Sequence, residues 1–185
     1  MVLTVDAANS QVVILVGKAG VFGFAGHAHE VVAPAVRGRA VVDPADPQGA
    51  SVSLELDSSA MRVTGKGESP ADAAAVQHTM LGEQVLDVGR FPRIAFQSRH
   101  VSVTTRTADT FEVTIDGDLT LHGATRPMSV KANVTLEAGN HFTARGAFSF
   151  KQTDFGMVPV TAAAGAIRVK DQLDVQFVLR GSAAQ

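Results

Sequence analysis

The chain has 185 residues, a formal net charge of -2 and no cysteine. This length suffices for one domain that buries most of its apolar surface. The near-neutral charge, without a run of Lys or Arg, provides no electrostatic footprint for nucleic acid, and the lack of cysteine excludes disulfides and thiolate chemistry. We therefore expect a single domain over residues 1–185 and no nucleic-acid partner.

The sequence also predicts no integral membrane segment and no export signal. No stretch approaches the ~18 continuous apolar residues of a membrane span. The N-terminal residues MVLTVDAANSQVVILVGKAG lack the basic region, apolar run and small-residue cleavage site of a signal peptide. The compartment stays open: the cytoplasm suits the chain as it stands, and the periplasm suits a chain from which a signal peptide has been removed.

Alternation of apolar and polar residues predicts strands along the first half of the chain. In SVSLELD, for example, Val52, Leu54 and Leu56 share one parity, and in FPRIAFQSRHVSV Ile94 and Phe96 do the same. The segments QVVILVGKAG and VRGRAVV are further strands, and the intervening DPADPQG is typical of a turn.

One segment between the strands predicts a helix instead. In GKGESPADAAAVQHTMLGEQVLD, Ser69 is a suitable N-cap, Pro70 fits the first helical position, and Asp72 favours the first turn through the helix dipole. We expect a helix from Pro70 to about Glu83. A single helix inserted between strands would act as a plug or a lid at one end of the sheet.

The strongest strand signal is the segment FEVTIDGDLTLHGATRPMSVKANVTL, which predicts an antiparallel hairpin that turns at His122 and Gly123. HFTARGAFSF and DQLDVQFVLRG continue the alternation. The sum is about eight strands, which predicts an all-β fold: an antiparallel barrel or sandwich with one inserted helix. Small inward residues leave volume for a cavity, although side chains also fill many eight-stranded barrels completely.

Five segments, taken in order, carry a family resemblance: VDAANSQVVILV, VLDVGRFPRIAFQS, DGDLTLHGATRPMSVKA, KQTDFGM and VKDQLDVQFVL. They resemble the YceI-like family of lipocalin-like, polyisoprenoid-binding proteins over nearly the whole chain. The resemblance implies a bacterial, often dimeric, lipocalin-like barrel that holds a long isoprenoid or similar amphiphilic lipid, such as an isoprenoid quinone, and needs no other cofactor. Because this chain has no Trp and no Tyr, Phe and aliphatic residues would line its cavity.

Inward parity and the resemblance together define the expected ligand-binding residues. They are His27, His29, Ile94, Phe96, Phe111, Val113, Leu119, Leu121, Phe148, Phe150 and Phe177. A tail bound by apolar area gains about 0.8 kcal/mol for each buried methylene before ordering costs. Longer tails are therefore predicted to bind more tightly than shorter ones.

The GHAHE motif offers an alternative chemistry. His27 and His29 point to the same face of a regular strand, so they could share a divalent metal such as Zn²⁺ or Fe²⁺ with a third ligand from elsewhere. His78, His100, His122 and His141 are the candidates for that ligand. A neutral pair hydrogen-bonded at the rim of the barrel is the simpler interpretation.

Two turn regions carry polar residues with both a structural and a functional interpretation. His122 and Arg126 lie at the hairpin turn, where they serve either as solvated turn residues or as donors to a phosphate or quinone headgroup. In KQTDFGM, we expect Asp154 to accept hydrogen bonds from nearby amides and Phe155 to anchor a corner in the core; the functional alternative is that Lys151 and Thr153 line an entrance.

No recognisable catalytic constellation accompanies these features, since the chain lacks a GxSxG elbow, a P-loop and a GxGxxG fingerprint. We therefore do not expect an enzyme. Three hypotheses stay open: a lipid-binding barrel, a metal-binding barrel or metal-dependent enzyme using His27 and His29, and a barrel with a filled interior that binds a partner.

Overall fold

A computed structural model describes residues 1–19, 29–34, 36–43, 46–162 and 167–184. Strands make up most of these residues, and one α-helix interrupts them. The elements are β1 (Val2–Val5), β2 (Gln11–Ala19), β3 (His29–Ala33), β4 (Arg37–Val41), β5 (Ser51–Asp57), β6 (Arg62–Val63), α1 (Pro70–Leu81), β7 (Arg93–Arg106), β8 (Thr110–Leu121), β9 (Ala124–Glu137), β10 (His141–Lys151), β11 (Thr161–Ala162) and β12 (Ile167–Ala184).

Eight of the strands close into a ring. The order β1-β4-β5-β7-β8-β9-β10-β12 returns to its start because β12 also pairs with β1. All of these pairings are antiparallel, and the β1–β12 pairing places Val2 opposite Ala184. A closed barrel leaves its strands no free edge. The predicted all-β antiparallel barrel with one inserted helix is confirmed.

The first six strands are consecutive in the chain as three sets of two: β1 and β2, β3 and β4, and β5 and β6. A short break in the strand conformation separates the two members of each set. Short 3-10 turns at Ala7–Asn9 and Ser58–Ala60 separate β1 from β2 and β5 from β6. In each set one strand belongs to the ring, whereas β2, β3 and β6 form a branch that starts from β12. This branch continues the wall at the end of the barrel where α1 lies, which we call the helix end.

The predicted hairpin forms as expected from β8 and β9. Leu121 lies opposite Ala124, and the two residues between them, His122 and Gly123, have φ values of 51° and 74°. Positive φ at both central positions is the type I′ geometry that matches the twist of the flanking strands. A Cβ on Gly123 would lie 2.5 Å from the ring of Phe91, so this turn needs glycine for space as well as for φ.

The helix begins as predicted and ends two residues earlier than predicted. The Ser69 hydroxyl accepts a hydrogen bond from the Asp72 amide at 3.2 Å, and Pro70 occupies the first turn. The last helical residue is Leu81 rather than Glu83, because Gly82 leaves the helical conformation and caps the last turn. Among the described residues, no helix combines the length and the apolar character that a membrane span requires.

The 3-10 turn between β5 and β6 has an acidic cap. The Asp57 carboxylate accepts hydrogen bonds from the Ser59 hydroxyl at 2.6 Å and the Ser59 amide at 2.9 Å. These bonds lower the pKa of Asp57 below its ordinary value, and the bond from the hydroxyl has the larger effect. The same turn buries Ser58, whose hydroxyl donates to the Phe91 carbonyl at 2.8 Å. The break in the strand is therefore tied to the segment that precedes β7.

We expect Asp57→Asn to reduce the dependence of stability on acidic pH. Because the pKa is lower in the folded chain, the charged carboxylate stabilises the fold above the ordinary pKa, and this contribution is lost as the pH falls from the ordinary pKa, near ~4, through the lowered value. Urea unfolding of both proteins across this range measures the difference. Equal slopes of unfolding free energy against pH for wild type and variant would contradict the assignment.

Candidate functional site

An apolar cavity of about 500 Å³ occupies the helix end of the barrel. Its wall combines inward residues of β2, β3, β5, β7, β8, β10 and β12 with α1 and the loops that follow α1 and β10. The apolar lining comprises Val12, Ile14, Val16, Val31, Ala33, Leu56, Met61, Ala75, Val76, Met80, Val85, Leu86, Ile94, Leu119, Leu121, Phe148, Phe150, Met157, Val160, Val169, Leu173 and Val175. The chain therefore encloses a space that suits an apolar guest.

One face of α1 forms a wall of this cavity. The lining residues Asp72, Ala75, Val76, Thr79 and Met80 recur at the i, i+3, i+4 spacing of a single helical face. No residue of α1 is fully buried. The helix therefore covers the cavity as a surface element, whereas a plug would insert into the barrel.

Gln77 joins this helix to the edge of β6. Strand β6 pairs with β3 on one side, and no other described strand pairs with it. On its other side, the amide of Val63 donates to Gln77 Oε1 at 2.8 Å, and Gln77 Nε2 donates to the Met61 carbonyl at 2.9 Å. The side-chain amide thus satisfies one donor and one acceptor that a neighbouring strand would otherwise pair.

The polar residues of the lining are Lys18, His29, Asp72, Thr79 and Gln152. Lys18 precedes the last residue of β2, His29 is the first residue of β3, and Gln152 follows the last residue of β10. These positions lie where the strands end at the helix end of the barrel, and together with Asp72 in the first turn of α1 they form what we call the polar end of the cavity. Gln152 is buried, and its Nε2 donates to the Lys170 carbonyl at 2.8 Å. Apart from this end and from Thr79 near the end of α1, the wall is apolar.

His29 and Glu68 form a buried pair beside the polar end. His29 Nδ1 is hydrogen-bonded to Glu68 Oε1, and the two side chains are 13% and 6% exposed. The other oxygen, Glu68 Oε2, is buried and has no hydrogen bond to a described residue. A buried carboxylate oxygen without a partner is costly, so His29 supplies the interaction that holds this side chain in place.

The cavity contains about half of the predicted ligand-binding residues. His29, Ile94, Leu119, Leu121, Phe148 and Phe150 all line it. Phe96 and Phe177 pack against the same hydrophobic cluster without reaching the cavity surface. Phe111 and Val113 lie outside the lining as well, because both belong to the part of β8 remote from the helix end. Inward parity identified the correct face but could not indicate how far along each strand the cavity extends.

The predicted headgroup residues His122 and Arg126 are not part of the lining. His122 Nδ1 lies 3.1 Å from the Phe155 carbonyl oxygen, and the imidazole packs edge-on against Phe91 at a centroid distance of 5.0 Å. Arg126 is exposed and donates to the Thr125 carbonyl at 2.9 Å. Arg126 is thus a solvated turn residue, whereas His122 is half-buried and links the hairpin turn to Phe91 and to the corner at Phe155. The polar end offers Lys18 and His29 instead.

Of the two histidines predicted to bind a metal, only His29 can be described, since His27 lies outside the described residues. His29 lines the cavity and is paired with Glu68. Within the described ranges, no three His, Cys, Asp or Glu side chains cluster closely enough to hold a metal ion.

The structure also reassigns one turn carboxylate. Phe155 is buried at the corner after β10, as expected, and packs edge-on against Phe150. The carboxylate that holds this corner belongs to Asp171 of β12: its oxygens accept from the Thr153 amide at 2.9 Å and the Thr153 hydroxyl at 2.7 Å. These bonds, the amide bond first, lower the pKa of Asp171. The expectation for Asp154 missed this partner because it lies 18 residues away in the sequence.

An antiparallel eight-stranded barrel with an apolar cavity at one end is a lipocalin-like binding barrel. The sequence matches the YceI-like domain family over residues 3–180. The chain therefore belongs to the YceI-like family. No curated protein sequence matches it significantly.

Solved structures with the same fold include three relatives of low sequence identity. BcnA of Burkholderia cenocepacia is 19% identical with a TM-score of 0.71, covering 95% of this chain and 98% of BcnA. A polyisoprenoid binding domain from Saccharophagus degradans, implicated in plant cell wall breakdown, is 13% identical with a TM-score of 0.70, covering 98% of each chain. The Campylobacter jejuni YCEI protein is 11% identical with a TM-score of 0.61, covering 84% of this chain and 85% of its own. At these identities the likeness concerns the fold.

We expect Gln77→Ala to loosen α1 from the barrel. The change leaves the Val63 amide and the Met61 carbonyl without the partners described above, which lowers the free energy of unfolding by about 1–3 kcal/mol. Hydrogen-deuterium exchange followed by mass spectrometry should show faster exchange in residues 61–63 and 70–81. His78→Ala on the exposed face of the same helix is the matched control, and equal exchange in the two variants would refute the role of Gln77.

A double-mutant cycle tests the pair of His29 and Glu68. We expect His29→Ala to lower the free energy of unfolding by about 1–3 kcal/mol, because a buried carboxylate loses its partner. The double variant His29→Ala/Glu68→Ala should be less destabilised than the sum of the single variants, by about 0.5–3 kcal/mol. As a control, Lys66→Ala removes only the exposed contact with Glu30 and should cost at most about 0.5 kcal/mol. Strict additivity of the two single changes in urea unfolding would contradict the coupling.

Proposed function

We propose that this protein binds an isoprenoid lipid as a carrier, store or sensor, with the tail in the cavity and the headgroup at the polar end. The observation that carries the proposal is the distribution of polarity: the wall is apolar along β2, β8, β10 and β12, and its charged side chains gather at one end. A guest that matches this distribution is an amphiphile with one apolar tail and one polar headgroup.

The family and one structural neighbour support the isoprenoid class. The chain belongs to the YceI-like family, and the neighbour from Saccharophagus degradans is described as a polyisoprenoid binding domain. Both indicate a binding protein rather than an enzyme. Branched, flexible isoprenoid tails also suit a wall built from many aliphatic side chains, since binding depends on buried apolar area more than on directed contacts.

The polar end provides donors for a phosphate or quinone headgroup. Lys18 lines the cavity, and no described residue forms an ion pair with its ammonium group. His29 also lines the cavity, and because Glu68 holds Nδ1, the imidazole has Nε2 left to bind a ligand. The ammonium group donates to phosphate or carbonyl oxygens, whereas Nε2 of a ring whose Nδ1–H is donated to Glu68 accepts a hydrogen bond from a hydroxyl group.

Native mass spectrometry of freshly purified protein, with mass spectrometry of the organic extract, tests the proposal directly. We expect a lipid adduct near one per chain and an isoprenoid in the extract.

Two variants of α1 then locate the site. Ala75→Trp places an indole in the cavity wall and should lower the affinity for added farnesyl phosphate at least about tenfold by occupying its volume. Ala74→Trp, on the exposed face of the same helix, should bind like wild type.

Equal affinities of the two tryptophan variants would place the lipid outside the cavity and overturn the proposal.

The variant Lys18→Met distinguishes binding of the headgroup from binding of the tail. Its affinity for farnesyl phosphate should fall by about tenfold, and its affinity for farnesol should stay the same. A loss that is equal for both compounds would show that Lys18 contributes through its aliphatic stem rather than its charge.

A further inference from the structure

The cavity stops abruptly part of the way along the barrel. Along each strand, the inward residues nearest the helix end line the cavity. The next inward residue, two positions farther from the helix end, does not. On β12 the lining ends at Val175 and Phe177 follows; on β7 it ends at Ile94 and Phe96 follows; on β5 it ends at Leu56 and Leu54 follows. Because residues two apart face the same side of a strand, these three side chains form the next layer across the barrel.

Glycines on neighbouring strands make room for this layer. A Cβ on Gly146 would lie 2.5 Å from Cζ of Phe177, and a Cβ on Gly117 would lie 2.7 Å from Cζ of Phe96. In the same way, a Cβ on Gly38 would lie 2.5 Å from a methyl carbon of Leu54. Each large side chain therefore lies flat over a strand position that carries no side chain, and it occupies space that a Cβ would otherwise take.

We propose that Phe96 and Phe177 are specificity-determining residues that form the floor of the cavity and limit the bound isoprenoid tail to about 15–20 carbon atoms. The size follows from the volume: a water molecule occupies about 30 Å³ of liquid and a methylene group about the same, so a cavity of about 500 Å³ holds about 17 carbon atoms. Such a tail has three or four isoprene units.

The floor changes the expectation that longer tails always bind more tightly. Each added methylene contributes only while it is buried in the cavity. Beyond the floor, an added isoprene unit stays in water at the mouth or displaces close-packed side chains, so it adds no affinity. The affinity should therefore rise with tail length up to geranylgeraniol and then level off.

The inference rests on the proposed function, and a series of all-trans prenyl alcohols tests both. Competition against a fluorescent probe measures the affinities of geraniol, farnesol, geranylgeraniol and solanesol. For wild type we expect an increase of at least about tenfold from geraniol to geranylgeraniol and no further increase for solanesol. Phe177→Leu and Phe96→Leu open the floor, and each should raise the ratio of solanesol affinity to geranylgeraniol affinity at least about fivefold.

Two further variants keep the test decisive. Phe142→Leu is the matched control: its ring lies over Gly181, beyond the floor, so the ratio should stay at the wild-type value. Val175→Phe fills the cavity just above the floor, and it should move the tightest binder from geranylgeraniol to farnesol. Circular dichroism establishes that each variant is folded, and the prediction for Val175→Phe does not depend on the stability of the two leucine variants.

The possible failures are distinguishable. If wild type binds none of the four alcohols, the proposed function fails and the inference fails with it. If wild type binds solanesol more tightly than geranylgeraniol, the lipid proposal stands and the floor is refuted. The floor is also refuted if the ratio is the same in Phe177→Leu, Phe96→Leu and Phe142→Leu, or if Val175→Phe leaves the preferred length unchanged.

Discussion

The structure depends on how the barrel wall is completed beside β6. A backbone donor or acceptor that is buried without a partner costs free energy comparable to a lost hydrogen bond, so the wall of a barrel cannot simply stop. Here β5 pairs with β7 up to Asp57 and Arg93, and the chain then turns at Ser58–Ala60 before it forms β6. Gln77 pairs with the free edge of β6, and α1 thereby replaces a stretch of strand. The exchange of a strand for a helix gives this end of the barrel a wall that is attached by a few side-chain contacts.

A helical wall leaves more room inside than a strand wall. Ala75 and Val76 carry short side chains toward the cavity, so the helix covers the interior without filling it. At the remote end, where β4 pairs with both β1 and β5, buried side chains such as Leu3 and Phe142 lie outside the cavity lining. The difference between a hollow half and a packed half therefore follows from the same interruption of three strands. Phe96 and Phe177, each over a glycine, mark the boundary between the two halves.

The sequence was sufficient to predict the strands, the helix start at Ser69 and the hairpin turn, because each depends on residues close together in the chain. The choice of a barrel over a sandwich rested on the family resemblance, since closure pairs β1 with β12 at opposite ends of the chain. Parity also placed Leu119, Leu121, Phe148 and Phe150 on the inner face. It could not reveal where the cavity ends, since this depends on the register of Gly146 with Phe177 across two strands. It missed Glu68 for a similar reason: the partner of His29 lies 39 residues away, in a loop without a periodic signal. The continued inward parity of Val12, Ile14, Val16 and Lys18 was the available signal for the polar end.

The pair of His29 and Glu68 links the polar end to the helix. Glu68 directly precedes the N-cap Ser69, and Ser69 in turn holds Asp72, which lines the cavity. A side chain of β3 thus fixes the start of α1, while Gln77 fixes its middle against β6. Opening the helix at its N-terminus would separate the buried pair of His29 and Glu68, whereas opening it at Gln77 would expose only neutral backbone groups. The helix is therefore attached to the barrel by two interactions of different kind, an imidazole–carboxylate pair at its start and a neutral side-chain amide in its middle.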